Sequence, residues 1–306
     1  MSNEVFTAHR DLLVGVAYRL LGSMADAEDV VQDAWLRWSG VDQATVADPK
    51  AYLITVTTRL AIDRMRRTKA RREAYVGPWL PEPISTAPDV SEHVELADSV
   101  ELALLVVLET LSPLERAVYV LREAFGLPFD DIAGIIGREP AAARQLARRA
   151  RDHVQQRQPR FDVDRAQRRE MTERFLAACG TGDLRALTEL LASDVRLVSD
   201  AGGKAKAPVR VINGADKVSR FLIAVSSEAG VHTFLASAGG PPVSFRVGVT
   251  DVNGGPAIVA WVDGQPVTVF SLVVRDGLVD TIYLLANPEK LAALSHRVGP
   301  AASEGA

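Results

Sequence analysis

Cysteine is nearly absent from this chain, aromatic side chains are scarce, and no long apolar run occurs. Cys179 is the single cysteine among 306 residues, which excludes an internal disulfide and a four-thiolate zinc site within one chain. No window approaches the ~20 consecutive apolar residues of a membrane-spanning helix, so no membrane partner is expected. The opening residues, MSNEVFTAHRDLL, carry neither a basic segment nor an apolar one, which points to a protein without a leader that works in the cytoplasm. A large excess of charge is also missing, since the formal net charge is −4. What remains is globular: 47% apolar and 24% charged residues, in a chain longer than the ~100–200 residues of one domain.

The modest net charge hides segregation. Residues 59–72 hold seven Arg or Lys against Asp63 alone, and residues 138–160 hold seven Arg against Glu139 and Asp152. Two basic stripes set among acidic stretches suit a protein that meets nucleic acid on one surface and another partner elsewhere.

Helical spacing organises residues 1–73. A helix over Phe6–Leu21 stops at Gly22, and Ser23 with Asp26 caps a second in which Ala27, Val30, Val31, Ala34, Trp35 and Trp38 form one apolar face. Asp48-Pro49 opens a third that runs through the first basic stripe. Residues 74–100, crowded with Gly, Pro and Ser, read as a linker, and Trp79 and Leu80 within it signal a segment that docks.

Residues 101–160 are helical again. Ser112-Pro113-Leu114-Glu115 opens one helix, Phe129–Ile136 forms a short one closed by Gly137, and Pro140 starts a helix with Ala143, Leu146, Ala147, Ala150 and Val154 on its apolar face. Together these predict a helix-turn-helix. Residues 161–286 change to a mixed pattern: helices near 166–179, 183–191 and 214–227, and strands at Asp194–Ser199, Val243–Asp251, Ala257–Val262, Pro266–Val274 and Leu278–Leu284. Asn253-Gly254, Asp263-Gly264 and Asp276-Gly277 separate the later strands as hairpin turns, so an α+β cone with helices across one face is expected. Residues 287–306 read as a mobile tail.

Arg144, Arg148 and Arg151 lie at i, i+4 and i+7 on the last helix of the helix-turn-helix, flanked by Gln145 and Arg149, a geometry suited to phosphate and guanine contacts in a major groove. The helix through Arg59, Asp63, Arg66 and Arg67 suits a phosphate backbone or a separated strand, and electrostatics does not choose between them. Asp26, Asp29 and Asp33, with Gln32, make an acidic stripe that repels DNA and requires another partner or water. In the C-terminal cone, Asp200, His232, Asp263 and Tyr283 are the side chains capable of acid–base work, and they form no recognisable pattern. No metal or cofactor is called for.

In combination, Asp26-Ala-Glu-Asp-Val-Val-Gln-Asp-Ala-Trp-Leu-Arg-Trp, Leu60-Ala-Ile-Asp-Arg-Met-Arg-Arg, Leu111-Ser-Pro-Leu-Glu-Arg and Arg144-Gln-Leu-Ala-Arg-Arg-Ala-Arg resemble extracytoplasmic-function sigma factors over about residues 6–158. The resemblance implies that Asp26, Asp29, Gln32 and Asp33 bind the β′ clamp helices of core RNA polymerase. It implies that Arg59, Asp63, Arg66 and Arg67 engage the minus-10 element of promoter DNA, and that Arg144, Gln145, Arg148, Arg149 and Arg151 engage the minus-35 element. Arg59 stands where many of these proteins carry Asn.

A finer resemblance spans nearly the whole chain. Trp79-Leu80-Pro81-Glu82-Pro83, Asp200-Ala-Gly202-Gly203-Lys204 and Asn287-Pro288-Glu-Lys290-Leu291 are similar to the signatures of the subgroup with a fused SnoaL-like domain of the NTF2-like fold. Ala201 and Glu289 depart from its usual glycine and aspartate. This implies regulation in cis, with no separate anti-sigma factor, through the linker, the glycine loop and the tail. Gly202 and Gly203 permit positive φ, and Lys204 is expected to pair with Glu82 or another linker carboxylate. Two other classes stay open: a ligand-responsive helix-turn-helix regulator acting without core polymerase, and a bifunctional enzyme. A small-molecule ligand in the cone domain is likewise left open.

Overall fold

Caps and breakers place the helices of the first part. The computed structural model describes residues 2–86, 101–157, 164–237 and 244–295, and the chain folds as two compact units, residues 1–74 with 93–158, and residues 75–92 with 159–306. In the first unit, α1 (Ser2–Leu21) stops at Gly22, whose φ is 67°. Helix α2 (Met24–Ser39) starts at Ser23, whose side chain accepts from the Asp26 amide at 3.2 Å. Helix α3 (Pro49–Glu73) begins where the Asp48 carboxylate accepts from the Ala51 amide at 3.0 Å. These three pack through Leu13, Leu20, Ala27, Val31, Ala34, Trp38 and Leu53, all essentially buried.

Trp35 departs from the expected apolar face and is 37% exposed, whereas Trp38 is fully buried against Tyr52, ring centroids 5.7 Å apart. The buried stripe follows Ala27, Val31, Ala34 and Trp38, and a residue one step beyond Ala34 is turned about 100° away from it.

Helices α4 (Leu102–Leu108), α5 (Pro113–Tyr119, continued by a π-helical turn Val120–Ala124), α6 (Phe129–Ile136) and α7 (Pro140–Arg157) complete the unit. Ser112 and Glu115 make a reciprocal capping box at α5. Gly137, left-handed at φ 63°, ends α6 and turns the chain into α7, whose buried face is the expected Ala143, Leu146, Ala147, Ala150 and Val154.

The second unit is the α+β cone expected of an NTF2-like domain. Helices α8 (Arg165–Thr181) and α9 (Leu184–Leu190) lead into β1 (Leu191–Asp200). Then come β2 (Ile212–Asn213), α10 (Ala215–Ser226) and α11 (Glu228–Ser237), followed by β3 (Phe245–Val252), β4 (Gly255–Val262), β5 (Gln265–Arg275), β6 (Leu278–Leu285) and α12 (Pro288–Ser295). The six-stranded sheet has the order β2-β1-β6-β5-β4-β3, parallel only between β1 and β6. Each of the three hairpin turns has positive φ at both central residues, as type I′ turns require. Register shifts in β1, between β4 and β5, and between β5 and β6 bend the sheet around a core of Phe175, Leu187, Leu197, Val218, Leu222 and Ile282.

Strand β2 and helices α11 and α12 go beyond the elements that the sequence pattern predicts. Helix α12 also corrects the mobile tail over part of its length: Leu291 and Leu294 are 1% and 3% exposed. The expected linker beyond residue 86 and the tail beyond residue 295 lie outside the described residues.

Candidate functional site

The three short signatures meet within the second unit, and Asp200 is where they meet. Asp200 ends β1 with no exposed surface. Its carboxylate accepts from Tyr75 Oη at 2.6 Å, from the Leu80 amide at 2.8 Å and from Lys290 Nζ at 2.6 Å. Its main-chain oxygen accepts from the amides of Ala286, at 2.8 Å, and Asn287, at 3.1 Å. One residue thus ties the linker, the end of β6 and the start of α12 together.

Lys290 completes the dock. It also donates to the Leu80 carbonyl and lies over the Trp79 ring at 3.9 Å and the Tyr75 ring at 5.1 Å from their centroids. A buried ammonium surrounded by a carboxylate, a carbonyl and two π faces has every direction satisfied. Burial, then the neighbouring Asp200, push the Tyr75 phenol well above its ordinary pKa, so it stays a donor to Asp200 while accepting from Asn287 Nδ2 at 2.8 Å.

The glycine loop is shaped by the same contact. Gly202 and Gly203 have φ of 57° and 71°, and a Cβ on Gly202 would lie 2.6 Å from Asn287 Nδ2 and 2.7 Å from Tyr75 Oη. Asn287 in turn accepts from the Glu289 amide at 3.1 Å, and its carbonyl accepts from the amides of Lys290 and Leu291, which starts α12. Pro288 sits exposed at the first helical position. Lys204 pairs with Glu289, not with Glu82 as expected, because the loop faces α12.

Further along the linker, Pro81, Pro83, Ile84, Ser85 and Thr86 are buried, with Glu82 half-buried. Ser85 forms a bridge with Val252, Thr86 N donates to the Asp251 carbonyl at 2.9 Å, and the Asn253 amide donates to the Ile84 carbonyl at 2.8 Å. The expected linker thus behaves here as an edge strand on the β3–β4 turn. Two residues of the dock carry no sequence signal for it: Tyr75 lies outside the signature, and Asn253 is marked only as a turn residue.

The acid–base candidates do not assemble. Asp200 is committed to the linker, and Asp263 accepts from the Ser244 amide at 2.8 Å in a hairpin turn. Tyr283, 9% exposed, and Leu284 are successive on β6 and so point to opposite faces. His232 lies on α11. Among the described residues, no three His, Cys, Asp or Glu side chains form a metal-binding group.

In the first unit, the acidic helix has an internal partner that the spacing does not reveal. Arg64 of α3 donates to Asp26 and, at 3.1 Å, to Asp29, which leaves Gln32 and Asp33 exposed beside Trp35 and Leu36. Arg59 donates to the carbonyls of Gly134 and Ile135 at 2.8 and 2.9 Å, at the C-terminal end of α6, where the helix dipole favours a cation. Asp63 and Arg66 pair with each other at 3.3 Å, and Arg67 reaches the Asp63 carbonyl. A second link joins α3 to the later helices: Glu109 pairs with both Arg72 and the buried Arg116, whose Nε donates to the Arg19 carbonyl at 3.0 Å.

On α7, Arg144, Gln145, Arg148, Arg149 and Arg151 are all exposed on the face away from the core. They are not equivalent. Arg149 reaches Glu115 at 3.4 Å and Arg151 reaches Glu123 at 2.6 Å, whereas among the described residues Arg148 has only the distant Asp152 at 3.9 Å on its own helix.

Comparison with known proteins identifies both helical domains. Residues 5–71 match Sigma-70 region 2, and residues 101–154 match Sigma-70, region 4. The chain is 41% identical to the ECF RNA polymerase sigma factor SigJ of Mycobacterium tuberculosis, over 95% of this chain and 93% of that protein. It is 35% identical to the probable ECF RNA polymerase sigma factor SigI of the same organism, over 97% of each. The crystal structure of the M. tuberculosis extracytoplasmic function sigma factor SigJ superimposes with a TM-score of 0.74 at 37% identity, covering 94% of this chain and 97% of that one. The acidic helix, the helix-turn-helix and the fused cone domain thus fall within full-length relatives of one kind, and the chain belongs to the ECF RNA polymerase sigma factors, the subunits that direct transcription initiation.

Proposed function

We propose that the C-terminal unit of this sigma factor regulates the sigma regions in cis, by holding linker residues 75–86 against its own sheet. The observation that carries the reading is the Asp200 carboxylate, which accepts from Tyr75, the Leu80 amide and Lys290 at once. The linker is the covalent connection between regions 2 and 4, so fixing one end restricts how far and in which direction the other travels when polymerase and promoter are engaged. In this reading the chain carries its own restraint and needs no separate anti-sigma factor. It acts in the cytoplasm, where polymerase and promoters are found.

Within the sigma regions, Asp29, Gln32 and Asp33 contact the β′ clamp helices, while Asp26 chiefly anchors Arg64. Asp63, Arg66 and Arg67, with Arg59 once released from α6, serve the minus-10 element. Arg144, Gln145 and Arg148 read the minus-35 element, with Arg149 and Arg151 as secondary phosphate contacts. The exposure of Asp33 and Gln32 beside the exposed Trp35 and Leu36 supports the first assignment, since an acidic rim around apolar side chains suits a basic protein surface.

The test is initiation by reconstituted holoenzyme on promoters selected with the full-length protein. Full-length chain, Asp200→Asn, Lys290→Met and a chain ending before Asn287 are compared, with core binding measured in parallel. Altered transcript yield at unchanged core affinity supports regulation through the dock. Identical yields from all four overturn it.

A further inference from the structure

The cone encloses a cavity of about 620 Å³ between α8, α10, α11 and the inner face of β3–β6. This volume lies within the range of small-molecule sites, roughly 300–1,000 Å³. Its walls are apolar, with Phe175, Cys179, Phe221, Ile258, Phe270 and Leu284 facing inward.

Among the described residues, two hydroxyls of the wall already donate to main-chain carbonyls. Ser227 Oγ donates to the Ala224 carbonyl at 2.8 Å, and Thr268 Oγ1 donates to the Val267 carbonyl at 2.8 Å. Those hydroxyls have acceptor capacity left but no hydrogen to give, and the rest of the described lining is mostly carbon, so the occupant has an apolar body.

The mouth has a different character. Val225, Phe245 and Val247, exposed by 38%, 40% and 40%, all line this cavity, although they come from α10 and β3. Exposed large apolar side chains that line one cavity mark a binding site more often than chance exposure. Lys206 also lines the cavity and is exposed, and among the described residues it has no carboxylate within ion-pair distance and no acidic side chain lines the cavity.

We propose that this cavity binds an amphipathic anion, with its apolar body among the phenylalanines and its carboxylate on Lys206, and that its occupancy bears on the linker dock. The site stands on its own geometry; the effect on the dock rests on the cis reading. The connection is short: Ala286 lines the cavity, donates its amide to the Asp200 carbonyl at 2.8 Å and precedes Asn287. On the other side Ala207 lines the cavity from the loop that carries Gly202.

A fluorescent C18 polyene carboxylic acid and its methyl ester are titrated into the full-length chain, into Lys206→Glu and into Ala260→Trp, which fills the cavity from β4. The expected result is saturable binding of the acid at one per chain. Lys206→Glu should weaken the acid by roughly three- to tenfold, the range for reversing one exposed charge, while leaving the ester unchanged. Ala260→Trp should abolish both. Absence of saturable binding in the native chain overturns the site, and equal affinity of acid and ester in both native chain and Lys206→Glu overturns the assignment of Lys206. Proteolysis of the linker is followed with and without bound acid: a changed rate supports the effect on the dock, and equal rates overturn that effect while the site stands.

Discussion

Asp200 and Lys290, ninety residues apart in the chain, form an ion pair of 2.6 Å in which neither side chain is more than 7% exposed. A pair so deeply buried contributes little over a well-packed apolar pair, yet removing one partner leaves the other charge unmatched at a cost of roughly 3–5 kcal/mol. Asp200→Asn is therefore expected to lower the unfolding free energy of the second unit by about that amount. Asp200→Leu with Lys290→Met should recover part of the loss. Denaturant unfolding of the wild type, Asp200→Leu, Lys290→Met and the double variant forms the cycle; strictly additive losses would show that the two side chains do not interact.

Gly202 packs the loop against Tyr75 of the linker and Asn287, just before α12. A methyl group there meets Asn287 and Tyr75 below 3 Å and also demands a positive φ from an L-residue. Gly202→Ala should cost roughly 1–3 kcal/mol and loosen Tyr75 from Asp200. At Gly203 the added methyl meets Val76 at an ordinary 3.5 Å, so only the φ penalty applies. The check is Trp79 fluorescence, taken as the difference from a Trp79→Phe counterpart because the chain holds four tryptophans, combined with linker proteolysis: Gly202→Ala should perturb both more than Gly203→Ala, and equal effects would remove the steric argument.

The helices and strands are largely legible in the sequence because their signals are local. Ser112 with Glu115, Gly137, and the Asn-Gly and Asp-Gly turns act within a few residues, and each stands where it is expected. The dock is legible only as three similar-looking signatures. Nothing local connects Tyr75 with a carboxylate 125 positions away, or turns Lys204 toward Glu289 instead of Glu82. Arg64 is hidden for the same reason: its basic stripe looks uniform in sequence, and only packing of α3 on α2 separates the arginine that holds Asp26 from those facing outward. Strand β2 is two residues long, too short for any alternation.

Cys179 offers a pH-dependent readout. Burial pushes its thiol up to about 12, so in the folded chain it stays protonated through neutral and moderately alkaline pH. An unfolded cysteine ionises near 8.5, and the raised native value therefore contributes stability that is fully present below about pH 8.5 and lost progressively as pH rises toward the native value. Native protein at pH 8 should react with an aromatic disulfide reagent far more slowly than denatured protein. Cys179→Ser should flatten the alkaline decline in stability. Equal reaction rates in the two states would show an accessible, ionised thiol.

The arginines of α7 should separate into two classes on DNA. Arg149 and Arg151 must release Glu115 and Glu123 before meeting phosphate, and the ion pairs they lose offset what they gain. Arg148, 84% exposed, gives up, among the described residues, a 3.9 Å contact along its own helix. Holoenzyme binding to a duplex carrying the minus-35 element, measured across salt concentrations, tests this. Arg148→Ala, like Arg144→Ala, is expected to reduce the logarithmic salt slope by about one. Arg149→Ala and Arg151→Ala should change it less and should instead loosen α7 from α5. Four equal reductions would mean that the internal ion pairs give way to DNA without cost, making the whole face a single electrostatic surface.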